Sequence, residues 1–250
     1  MKKISLTVLM SMFALMMSAQ QCILDGVTYS ARLGYNLGGT APVGLPATIR
    51  KLSSYELTPS FQAGIDAEKP LTHGVGVLVG LHIENKGMNV DAQVKNYHMQ
   101  IAKGTQVLEG QFTGSVRTKV REWMVTVPVQ ATWHPSEAWR LRLGPYVSYV
   151  FSRDFSGYAH EGYLRVGDPT GAKVNIGSEP GQRGDYDFTS DMRRFQVGLA
   201  LGADWNFYRR LGCFVELNWG LTGIHRSDFK TIEQTLYPIY ASVGLSYKLN

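Results

Sequence analysis

The chain has 250 residues, 44% hydrophobic and 18% charged, with a formal net charge of +5. So mild a charge, smaller still once Lys2 and Lys3 leave with a leader, gives no basis for nucleic-acid binding. The longest apolar run, residues 4–17, is shorter than the about 20 residues of a membrane-spanning helix, so any insertion of the rest must use strands.

Residues 1–19 read as a secretory signal peptide, with a basic start, an apolar run and the small residues Ser18-Ala19 for cleavage. Residues 20–250 then form one domain. An exported chain meets an oxidising compartment, where Cys22 and Cys213 could form a disulfide; two separate thiols are the alternative. Gln21 is a poor residue to precede a lipidated cysteine.

Taken in chain order, eight segments alternate apolar and polar residues with the period of two that marks a strand: 29–38, 55–66, 75–84, 123–133, 139–151, 194–207, 215–222 and 239–249. Short connections lie at 72–74, 134–138 and 209–212. Long ones cover 39–54, 88–121, 153–192 and 225–236. The expected fold is all-β: an eight-stranded antiparallel up-and-down transmembrane β-barrel with short periplasmic turns and long extracellular loops.

Alternation also fits a soluble lipocalin-like barrel with its apolar face inward. Three features favour the opposite orientation. The polar face carries charges of both signs, namely Arg32, Asp66, Glu84, Arg140, Arg142, Arg194, Asp204, Glu216 and Lys248. Turned into a barrel just wide enough for side chains, they can form an ion-pair network. That face is also rich in glycine, which suits a crowded lumen. Finally, aromatics recur ten residues apart on the apolar face in the pairs Trp123 and Trp133, Trp139 and Tyr149, and Phe195 and Trp205. A tilted strand crosses a bilayer in about 9–11 residues, so these residues, with Trp219 and Tyr247, are expected to form two interfacial girdles.

The segments "ARLGYNLG" (31–38), "LGPYVSYV" (143–150), "FQVGLALGADWNFY" (195–208) and "YPIYASVGLSYKLN" (237–250) resemble the PorT-like outer-membrane β-barrel proteins. The resemblance implies the outer membrane of a Gram-negative bacterium, and it assigns no activity, because most members have no known role. Ser242, Gly244, Tyr247 and Leu249 also resemble the signal read by the barrel-assembly machinery, with Leu-Asn in place of a terminal aromatic.

Site chemistry is sparse. Asp66 and Glu84 could do acid–base work, but arginines sharing their lumen favour a structural plug. His82 and Glu84 could begin a metal site, but no further ligand has suitable spacing. "GVGVLVG" (74–80) does not lead from a strand into a helix, so it is no phosphate loop. Arg117, Lys119 and Arg121 share parity with Trp123 and would stand above the outer interface, where lipopolysaccharide phosphates lie. Residues 162–176 read as a hairpin turning at 167–171.

The sequence therefore points to a barrel without enzymatic activity or cofactor, with a structural, envelope-assembly or surface-interaction role. Its expected partners are outer-membrane lipid, lipopolysaccharide, the assembly machinery and an unidentified extracellular or envelope protein. Three alternatives stand beside it: a soluble periplasmic binding protein, a small-solute channel and an outer-membrane lipid-modifying enzyme.

Overall fold

The computed structural model describes residues 26–44, 46–56, 58–72, 74–229, 231–232 and 235–250. The expected signal peptide and Cys22 lie outside them. The strands are β1 (Thr28–Pro42), β2 (Ile49–Glu56), β3 (Phe61–Thr72), β4 (Val75–Lys103), β5 (Gln106–Trp133) and β6 (Trp139–Val166). They continue with β7 (Lys173–Ile176), β8 (Gly184–Asp187), β9 (Phe195–Tyr208), β10 (Leu211–Gly220) and β11 (Leu236–Lys248).

Eight of them form a closed antiparallel ring in the order β1, β3, β4, β5, β6, β9, β10, β11. The ring shuts between β1 and β11, in register from Ser30↔Lys248 to Pro42↔Leu236. The short turns and both described chain ends share one rim. Closure leaves no exposed edge in the membrane-spanning part, as a hydrocarbon surround demands.

Two of the expected long loops are largely sheet. β4, β5 and β6 run 29, 28 and 28 residues, against the about 10 needed to cross a bilayer. β4 and β5 stay paired to the two-residue turn at Gly104-Thr105, where Lys103 faces Gln106 and Gly104 takes φ +60°. β2 extends this sheet along β4, and β7 and β8 pair with β6. The hairpin expected in 162–176 is present, with Arg165 opposite Lys173. In its turn, Asp168 accepts hydrogen bonds from the Thr170 amide and hydroxyl at 2.7 and 2.6 Å, which hold its carboxyl below the usual range.

Along β4 the two faces exchange character. Near the short-turn rim Val79, Leu81 and Ile83 point outward and are exposed, while His82, Glu84 and Lys86 are buried inside. Beyond them Met88, Ala92 and Val94 are buried inside, while Gln93 and Lys95 are exposed outside. The change falls where Asn85 pairs with Trp123. Below this level the outward side chains are apolar; above it they are polar, and the apolar face turns inward as in a soluble sheet. The upper sheet has its own core, including Met99, Ile101, Phe112, Phe155, Phe188 and Ile224.

Candidate functional site

Two layers lie along the barrel axis. The lower one is the charged lumen. Arg142 is fully buried; its Nε donates to Asp204 at 2.6 Å and its Nη1 donates to Glu216 and to the Gln130 side-chain oxygen at 2.6 and 2.7 Å. Arg140 bridges Asp204 at 3.1 Å and Glu68 at 2.6 Å. Arg32 lies 3.3 to 3.6 Å from Asp66, Glu216 and Asp204, with its guanidinium 3.7 Å from the centre of the Phe214 ring. His82 bonds Asp66 at 2.7 Å and so belongs to this cluster. Nearer the outer rim Lys86 pairs with Glu84 at 3.2 Å, Thr126 donates to Glu84, and the Gln196 amide donates to Glu122 at 2.7 Å.

Glycine makes room for these groups. A Cβ at Gly80 would stand 2.3 Å from an Asp66 oxygen, and one at Gly202 would stand 2.6 Å from Arg142 Nη2. Nothing larger fits between such side chains in so narrow a barrel.

Seven of the nine charges assigned to the lumen are buried in it: Arg32, Asp66, Glu84, Arg140, Arg142, Asp204 and Glu216. Arg194 is a correction. It precedes β9, is exposed at the outer rim and donates to the Tyr149 hydroxyl at 3.3 Å. Lys248 is a second correction: it lies half-buried at the periplasmic end of β11, outside the network. Glu68, Lys86 and Glu122 belong to the lumen but escaped the sequence reading. Each lies just past the assumed end of an alternating run and keeps its parity, which is the signal that could have found it.

All eight girdle aromatics project outward and are exposed. Trp133, Trp139, Trp205 and Tyr247 ring the short-turn side, with Trp139 and Trp205 stacked at 6.0 Å. Trp123, Tyr149, Phe195 and Trp219 ring the other, with Tyr149 and Phe195 5.1 Å apart. Above Trp123, Arg117 pairs with Glu56 at 2.9 Å and Lys119 with Asp154 at 3.5 Å, while Arg121 is exposed. Cys213 is half-buried at the start of β10.

The upper layer is a cavity of about 610 Å³ at the outer mouth, between β1, β2, β4 and the aromatic core. Its walls are apolar, with Met88, Val94, Met99 and Phe155 among them. Sequence reading missed it, because most of its walls come from residues taken for loops.

Residues 18–226 match the family described as outer membrane protein beta-barrel domain. No curated protein matches the sequence. Among solved structures, Ail, the attachment invasion locus protein of Yersinia pestis, is similar over 89% of this chain and 97% of its own, at 11% identity and a TM-score of 0.36. The translocator domain of autotransporter NalP from Neisseria meningitidis is similar over 97% of each chain, at 11% identity and a TM-score of 0.25. The NanC porin is similar over 88% of this chain and all of its own, at 11% identity and a TM-score of 0.26. By the family match, which spans most of its length, the chain belongs to the outer-membrane β-barrel domain family.

Proposed function

We propose that this member of the outer-membrane β-barrel family is a non-enzymatic surface protein of a Gram-negative bacterium: a plugged barrel that holds a folded sheet outside the cell for interaction. The observation that carries the reading is the pairing of a side-chain-filled lumen with strands that continue well past the outer aromatic belt. A barrel meant only to span the membrane has no use for a second, apolar core above it. The buried ion pairs argue against the channel alternative, because an ion entering the lumen would have to displace groups tied to one another.

Within the family, the motifs quoted above support a resemblance to the PorT-like members, which brings no activity with it. The outward cations Arg117, Lys119 and Arg121 supply a lipopolysaccharide contact just above the outer belt. The intact chain reconstituted in planar bilayers tests the plug. The expected result is no unitary conductance. Regular current steps would overturn the plug and restore the channel.

A further inference from the structure

At its outer end the barrel wall is not laddered all the way round. β1 and β3 pair from Thr28↔Glu68 only as far as Tyr35↔Phe61. Above that, β1 runs on to Pro42 paired with β11 on one side. β2 pairs with β4 and, among the described residues, with no other strand. The two free edges approach each other through side chains. From β2 the Tyr55 hydroxyl donates to the Gly38 carbonyl of β1, and Met88 Sδ of the neighbouring β4 lies 3.8 Å from Thr40 Oγ1 of β1. A Cβ at Gly39 would stand 2.7 Å from Met88 Sδ and 3.4 Å from the Tyr55 ring, so glycine here leaves room for both side chains. The ladder cannot simply zip shut: β1 takes φ +149° at Gly38, and β2 breaks register twice, between Ile49 and Lys51 and between Leu52 and Ser54.

The slot opens at the height of the outer belt, since Gly39 pairs with Ile239, which pairs with Trp219. Behind it lies the 610 Å³ cavity, within the about 300–1,000 Å³ of ligand pockets. Thr118 and Tyr186, polar residues of its wall, bond each other at 2.7 Å, and Tyr186 also donates to the Arg117 carbonyl at 2.9 Å. Their hydroxyls are therefore already engaged. At the slot, Leu52 is 53% exposed, and Arg50 and Lys51 are exposed between the lining residues Ile49 and Leu52.

We propose that the slot admits one long hydrocarbon chain of an anionic amphiphile, with the chain in the cavity and the head group held by Arg50 and Lys51. Apolar walls accept hydrocarbon and reject polar ligands, which would lose hydrogen bonds on entering. Two cations beside an apolar opening select an anionic head. The inference does not depend on the plug, so a conducting lumen would leave it standing.

The full chain, purified from membranes, is titrated with stearic acid nitroxide-labelled near the chain end, and the probe's mobility is read by electron spin resonance. The expected result is a saturable immobilised component of one chain per barrel. Ala92→Phe, which fills the cavity, should weaken binding at least tenfold. So should Leu52→Glu at the exposed slot edge, where folding is not at stake. Arg50→Gln with Lys51→Gln should weaken the acid several-fold and leave its methyl ester unchanged. A heat-modifiable band checks that each variant is folded.

A second arm uses vesicles of phosphatidylglycerol labelled on one chain. Variant-sensitive immobilisation there assigns the ligand to the membrane; immobilisation of the fatty acid alone assigns it to a free amphiphile. An immobilised component unchanged in both Ala92→Phe and Leu52→Glu would place the signal on the lipid-facing surface; that result, or no immobilised component at all, would overturn the proposal.

Discussion

Arg142 shows what a single residue does here. Its side chain is fully buried and donates to two carboxylates and one amide oxygen. Arg142→Ala would leave Asp204 and Glu216 short of their closest cation. Breaking a buried pair from one side costs about 3–5 kcal/mol. Urea unfolding followed by tryptophan fluorescence should show a loss of that size. His225 acts in the opposite sense. It packs against Phe155 and Phe229 at 4.6 and 4.5 Å, and burial lowers its pKa to about 4, with Asp191 opposing. An unfolded histidine titrates near about 6.5, so the neutral ring's contribution is whole above that pH and fades as pH falls toward 4. Proteolysis of the outer sheet should therefore quicken between pH 7 and pH 4.5, and His225→Phe should flatten that dependence. Parity alone found most of the lumen charges. Arg194 also has lumen parity, but it stands one residue before β9 at the outer rim, where its side chain reaches out to the Tyr149 hydroxyl.

At the scale of the strand, membrane crossings were easier to read than extensions. In the membrane every outward residue must be apolar, so alternation is strict. Above the belt the outward face need only tolerate water, and bulges reverse the parity. The register breaks between Val94 and Tyr97, where Asn96 takes φ +52°, and the buried residues pass from Val94 to Met99 and Ile101. Such a break erases a period-two signal in a short window. β5 carries a further consequence. Arg117, Lys119 and Arg121 line its outer face just above Trp123, two of them already beside a carboxylate. Replacing all three with Gln should reduce the lipopolysaccharide that co-purifies with the folded barrel. Unchanged co-purification would remove that contact from the proposed function.

For the molecule as a whole, one strand set serves two surrounds. Its faces are ordered for lipid below the outer belt and for water above it. The sequence carried the barrel, its closure, its rims and most of its lumen. It hid the upper core and the cavity, because their walls join β1 and β2 to residues near 92, 155 and 186, which only the folded sheet brings together. The polarity exchange along β4 is the central claim, and cysteine accessibility tests it most directly. In a Cys22→Ser, Cys213→Ser background, single cysteines replace the outward residues Val79, Leu81, Gln93 and Lys95. Intact cells are then treated with a membrane-impermeant maleimide. Labelling at positions 93 and 95, with none at 79 and 81, is the predicted result. Equal labelling at all four positions, or labelling only after the cells are broken, would contradict it.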